Sequence, residues 1–183
     1  MTKGVLTALR DSSLLSVDVS ELLSRPGATQ HVSLTSDLDG LAGEMARVPE
    51  GSSLKLDLDF DALVDGIHVS GDVSGVIAEE CSRCLRGISE EIRVELDELF
   101  TLPGEGVEDD ETYEIVDEHL DLEPVIRDAV ILALPLNPLC RPDCNGLCQV
   151  CGADRNENDC GHETSRVAIR WDALSHLRET MED

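Results

Sequence analysis

Residues 54–60 read "LKLDLDF", an unbroken alternation that sets Leu54, Leu56, Leu58 and Phe60 on one face and Lys55, Asp57 and Asp59 on the other. A period of two with one oily and one charged face is the pattern of a strand that covers a core on one side and meets water on the other. Further along, "IHVSGDVSGVIAEEC" (67–81) continues in the same manner, broken by glycines. Ile92, Val94 and Leu96 then alternate with Glu91, Arg93, Glu95 and Asp97. The pair "CSRC" (81–84) lies between these two runs and is expected at the end of a hairpin. Residues 1–100 therefore read as a mainly antiparallel β unit.

Beyond that unit the pattern changes twice. Residues 105–123 carry ten Asp and Glu and no Lys or Arg, so residues 101–120 read as a solvated acidic connection with a poorly anchored tip. Leu122, Val125, Ile126, Ala129, Val130 and Ala133 then recur at helical spacing, which predicts a helix over 121–134. Asp121 is its candidate cap, Pro124 sits in its first turn and Pro135 ends it. "PLNPLC" leads into a cysteine-rich segment. "RWDALSHLRETM" (170–181) reads as a short closing helix with Trp171, Leu174 and Leu177 inward, Trp171 as a core anchor. The third unit is thus 121–183 and the class is α+β.

Composition narrows the function. With 183 residues, 41% hydrophobic and only 2% aromatic, the chain can build one modest core from Leu, Val, Ile and Ala, and has few rings on which to stack bases. Its formal net charge is −25, from 14 Lys and Arg against 39 Asp and Glu. A field of that sign repels phosphate and argues against nonspecific binding to nucleic acid. "MTKGVLTALRDSSLL" holds no apolar run of signal-peptide length, and nothing later approaches the roughly 18 apolar residues of a membrane span. The reading is a cytoplasmic protein with no membrane partner. His31, His68, His119 and His176 have no nucleophile in motif spacing, and no glycine-rich phosphate loop or small-molecule site is evident, so no enzymatic activity is expected.

Cytoplasmic thiols are normally reduced, and clustered cysteines there more often hold metal than form disulfides. There are seven, Cys81, Cys84, Cys140, Cys144, Cys148, Cys151 and Cys160, and His162 adds an eighth ligand of a type zinc accepts. They fall into four close pairs, "CSRC", "CRPDC", "CQVCG" and "CGH". Structural zinc is tetrahedral and takes four cysteines, or three and a histidine, delivered as such pairs. One or two Zn2+ per chain are expected. Spacing alone leaves the division of ligands open, with a contiguous set of Cys140, Cys144, Cys148 and Cys151 among the arrangements.

"VDVSELLSRPG", "CSRCLRGI", "DLEPVIRDAVILALPLNPLC" and "CNGLCQVCGADRN", followed by Cys160 and "RWDAL", together resemble the YceD family, the large ribosomal RNA subunit accumulation proteins. The resemblance implies a bacterial protein needed for accumulation of 23S ribosomal RNA, associated with that RNA or with the large-subunit precursor, and implies no catalytic activity. It also implies one metal site from Cys81, Cys84, Cys140 and Cys144, and another from Cys148, Cys151, Cys160 and His162.

The cations are unevenly placed. Arg83, Arg86 and Arg93 surround the first cysteine pair, and Arg141 and Arg155 lie within the later cluster. If they share a face, Arg83, Arg86, Arg141 and Arg155 are the candidate RNA contacts on an acidic body; the bland alternative is that they form surface ion pairs. The other functional class is an acidic, chaperone-like binder of a basic ribosomal protein, drawn by charge complementarity.

Overall fold

In the computed structural model, which describes residues 15–104 and 113–162, the alternation at Leu54–Phe60 lies within a long strand of one mixed sheet. The order along the chain is β1 (Ser16–Asp18), α1 (Ser20–Leu23), β2 (Thr29–Asp37), β3 (Ala46–Arg47), β4 (Ser53–Ala62), β5 (Gly66–Glu80), β6 (Gly87–Thr101), β7 (Tyr113–Glu114), β8 (His119–Asp121) and α2 (Glu123–Ala133). The main sheet runs β2-β4-β5-β6-β7, with β3 beside β5, and β1 pairs with β8 separately. Every pairing is antiparallel except β6 with β7.

The inward row of β4, Leu54, Leu56, Leu58 and Phe60, is fully buried, and it meets Ile67, Val69 and Val73 of β5 with Leu96 and Phe100 of β6. Val125, Ile126 and Val130 of α2 join the same core. Asp121 Oδ1 accepts the Glu123 N–H at 3.0 Å just ahead of the helix, and Leu134 is extended at the other end, as a residue before proline must be. The helix is thus two residues shorter at its start and one at its end than the periodicity suggested.

Two features depart from the sequence reading. The glycines in β5 do not interrupt it, because the strand runs through them for fifteen residues. At Gly71, with φ +147°, an added Cβ would collide with the Asp57 carbonyl of β4, so the missing side chain permits close approach of the two strands. The segment read as a solvated connection also carries β7 and β8, since Ile115 and Leu120 are buried in the core and pin it there. The tip of that segment and the closing helix with Trp171, Leu174 and Leu177 lie outside the described residues. Among the described residues no helix is long and apolar enough to cross a membrane.

β5 and β6 pair without a break from Gly66 with Thr101 to Glu80 with Gly87. That register leaves Cys81–Arg86 as the turn at the hairpin tip. The path after α2 returns to this tip, where the Ser82 N–H donates to the Pro138 carbonyl at 2.9 Å.

Candidate metal centres

Two CxxC turns carry the site, and they share one backbone pattern. In the first, the Leu85 N–H donates to the Cys81 carbonyl at 2.8 Å and the Cys81 N–H to the Arg86 carbonyl at 2.9 Å. The second repeats both bonds, from Gly152 to Cys148 at 2.8 Å and from Cys148 to Ala153 at 2.8 Å. Such a turn needs a left-handed residue just after the second cysteine. Gly152 supplies it at φ +73°, and Leu85 supplies it at φ +59°. The sequence suggested the glycine turn but gave no sign that a leucine would adopt the same conformation, which costs about 1–2 kcal/mol for a residue with a Cβ.

The structure brings the eight ligands together as two groups, Cys81, Cys84, Cys140 and Cys144 in one, and Cys148, Cys151, Cys160 and His162 in the other. Within each, the ligand atoms all lie within 4.8 Å of one another. Cys148 and Cys151 converge on Cys160 and His162, not on Cys140 and Cys144. In the first group Sγ of Cys81 and Cys144 are 3.8 Å apart, and those of Cys84 and Cys140 3.6 Å. Four sulfurs at a zinc–sulfur distance of 2.3 Å occupy a tetrahedron with edges of about 3.8 Å, so these separations fit a shared ion. They are far too long for disulfides, and all seven cysteines are free. In the second group Cys148 Sγ and His162 Nδ1 are 3.8 Å apart, close to the edge of about 3.6 Å that zinc–sulfur and zinc–nitrogen distances imply.

Their surroundings differ. Cys81, Cys84 and Cys144 are 0%, 7% and 2% exposed and pack with Ile88, Leu139 and Leu147 in a small apolar cluster separate from the main core. In the second group only Cys148 is buried, while Cys151 and His162 are exposed. Ionisation follows the local donors. For Cys81, burial opposes charge, but N–H groups of Cys140, Cys84 and Arg83 outweigh it and bring the thiol down to about 6. Cys140 has no such help, and burial together with the neighbouring thiols pushes it up to about 12. Backbone N–H groups of Cys151 and Val150 bring Cys148 down to about 6. A set of converging thiols in which some are already held as thiolates suits a soft or borderline cation.

The arginines are engaged within the protein. Arg83 Nη1 donates to the Cys144 carbonyl at 2.8 Å, tying the hairpin tip to the later segment. Arg86 bridges Asp154 at 3.3 Å and Glu157 at 2.9 Å. Arg141 bonds Asn156 Oδ1 at 2.8 Å and faces Asp143 at 3.4 Å. The Arg155 N–H donates to the Gly146 carbonyl at 3.0 Å. Gly146 sits at φ +70°, and an added Cβ there would lie 2.9 Å from the Arg83 carbonyl oxygen. The sequence reading missed both Gly146 and Asn156.

Comparisons with known proteins place this chain in a family. The model for the large ribosomal RNA subunit accumulation protein YceD matches residues 69–178, more than half of the chain. An uncharacterised protein of Mycobacterium tuberculosis is 38% identical across 91% of this chain and 82% of its own length. Another, from Mycobacterium leprae, is 33% identical across 95% of this chain and 82% of its own. A chloroplastic large ribosomal RNA subunit accumulation protein, YCED homolog 1 of Arabidopsis thaliana, is 27% identical across 73% of this chain and 51% of its own length. No solved structure matches. The protein belongs to the YceD family, whose name records a role in accumulation of large-subunit ribosomal RNA.

Proposed function

We propose that this chain is a non-enzymatic assembly factor that supports accumulation of 23S ribosomal RNA in the cytoplasm, and that two zinc ions hold the segment after α2 in its working shape. Membership of the family supports the RNA role. The convergence of eight ligands into two compact tetrads, with ligand separations of 3.6–3.8 Å for the pairs Cys84–Cys140, Cys81–Cys144 and Cys148–His162, supports the metal. Thiolate and imidazole donors without an open oxygen-rich position suit structural zinc. The ion organises the fold here, and no reaction is assigned to it.

How the protein reaches its target is a separate question, and the arginine contacts favour the acidic mode. Arg83, Arg86 and Arg141 are held by carbonyl, carboxylate and amide partners of the same chain. The outward rows of the sheet present Asp57, Asp59 and Asp61 of β4 and Glu91, Glu95 and Asp97 of β6, against Lys55, Arg93 and the imidazoles of His31 and His68, which contact Asp57, Asp59 and Asp97. Arg93 is itself paired with Asp72. A basic ribosomal protein fits such a face by net charge; it would compete there with His31 and His68, as phosphate would compete with the arginines' present partners. Direct RNA contact through Arg83, Arg86, Arg141 and Arg155 remains the competing mode.

Affinity capture of the full chain with large-subunit precursors tests both. Changing Asp57, Asp59, Asp61 and Asp97 to Asn is expected to abolish recovery of a basic protein, while Arg141→Ala with Arg155→Ala leaves recovery of ribosomal material unchanged. The reverse outcome, loss only with the arginine changes, assigns contact to RNA. Failure of the wild-type chain to recover large-subunit material overturns the assembly role itself.

A further inference from the structure

The segment between the two halves of the second tetrad does not stay with that tetrad. Residues 152–159 connect Cys151 to Cys160, and this loop folds back over the first site. The Arg155 N–H donates to the Gly146 carbonyl at 3.0 Å, Leu147 and Asp154 form a bridge, and Asp154 and Glu157 take hold of Arg86 on the hairpin tip. At the centre of the contact is Asn156. Its Nδ2 donates to Cys144 Sγ at 3.4 Å and to Asp154 Oδ1 at 2.7 Å, while its Oδ1 accepts from the Asn145 N–H and from Arg141, both at 2.8 Å. Two donors on the oxygen fix which end of the amide faces the sulfur, and all four of its hydrogen-bonding positions are used.

We infer that the two tetrads form one coupled unit, in which metal in the exposed site closes the loop that seats Asn156 against Cys144 and so raises the metal affinity of the buried site. The reasoning rests on the zinc reading above. A ligand pair at each end of a short loop restricts that loop when both are bound to one ion. A loop already closed loses less conformational entropy when its amide meets the sulfur. A donor to a thiolate in turn favours the charged, ligating form. Asn156 is therefore a positioning residue, outside the ligand set, that makes occupancy of one site felt at the other. The coupling is reciprocal, so a filled first site must also tighten the second.

Chelator competition on the full-length zinc protein, with bound ions counted by native mass spectrometry, tests this. Asn156→Ala is expected to lower first-site affinity about tenfold, the size usual for a group that orients a ligand, and to leave two ions bound at saturating zinc. Cys160→Ser with His162→Ala empties the second site and should lower first-site affinity about tenfold as well. Combining the changes should be no worse than the Cys160 and His162 pair alone, because the loop no longer presents Asn156. Asn156→Asp keeps the acceptor for Asn145 and Arg141 but removes the donor to sulfur. It also sets a carboxylate oxygen beside the sulfur and Asp154, so the loss should be at least that of Asn156→Ala, and wild-type affinity in Asn156→Asp would show that the sulfur contact carries nothing. First-site affinity unchanged in both Asn156→Ala and the emptied second site, or a combined loss of about a hundredfold from independent effects, overturns the coupling while leaving the zinc assignment intact. A wild-type chain that holds no zinc removes both.

Discussion

The two tetrads use the same turn and do different work. The first joins parts of the chain far apart in sequence: Cys81 and Cys84 at the tip of the β5–β6 hairpin meet Cys140 and Cys144 beyond α2, in a buried apolar cluster. The second gathers Cys148, Cys151, Cys160 and His162 from one short stretch at the surface. An ion in the first site closes a long loop and attaches the later segment to the sheet, whereas an ion in the second closes only the short loop that packs on the first site. Similar ligand chemistry therefore carries unequal structural weight. Long-range connection and burial set that weight.

The sharpest way to break this comparison is to remove one ligand from each site. Cys81→Ser should release zinc from the first site, detach the segment beyond α2 and lower the melting temperature by roughly 10 °C, whereas Cys151→Ser should lower it by no more than about 4 °C. Differential scanning calorimetry of both variants measures this, and equal losses would show that burial does not rank the sites. Next in size is Gly146→Ala, which meets the Arg83 carbonyl and forces a left-handed alanine, at a cost of about 1–3 kcal/mol. Denaturant unfolding reads it, and an unchanged midpoint would mean that the first site tolerates separation from its covering loop.

A smaller effect separates the turns themselves. Gly152→Ala should destabilise by about 1 kcal/mol, since the position is left-handed. Leu85→Gly should be neutral within about 1 kcal/mol, because relief of the same strain offsets the extra freedom of the unfolded glycine. Leu85 is 58% exposed, so little burial is lost. Equal destabilisation by the two changes would show that the turns are not equivalent.

The acid–base consequence is smaller still. In the metal-free chain the thiolate of Cys81, lowered to about 6 from 9.0, contributes stability that is complete above the ordinary value and is lost as pH falls through about 6. The same holds for Cys148, which is also at about 6. Zinc uptake should therefore release fewer protons at about pH 8, where these two are already ionised, than at about pH 5, where each must give one up. Calorimetry in buffers of different protonation enthalpy measures the difference, and release that does not vary with pH would contradict the assignment of these two thiols.

Much of the fold was legible because its signals are local. Alternation at Leu54–Phe60 and at Ile92–Leu96 gives the strands and their buried faces, and the change of period after Leu122 gives α2. β7 and β8 were hidden by the surrounding acids, since their anchors, Ile115 and Leu120 with the half-buried Tyr113, are too few to make a periodic pattern. The ligand types and close pairs were equally plain, while the way the pairs combine depends on the β5–β6 register and on the return of the chain after Pro135. Asn156 gave no signal at all. Its role exists only because the loop between Cys151 and Cys160 folds back on Cys144. For the arginines, sequence showed proximity to the cysteines, but the carboxylates and carbonyls that hold them are up to 71 residues away, as Glu157 is from Arg86.

The central claim is that each tetrad holds one zinc ion, and native mass spectrometry of the full chain, purified without chelator, tests it most directly. The wild type should carry two zinc ions, the Cys160→Ser with His162→Ala variant one, and the Cys81→Ser with Cys84→Ser variant one. A folded wild-type chain carrying no metal, with seven thiols free to react or paired in disulfides, would contradict it.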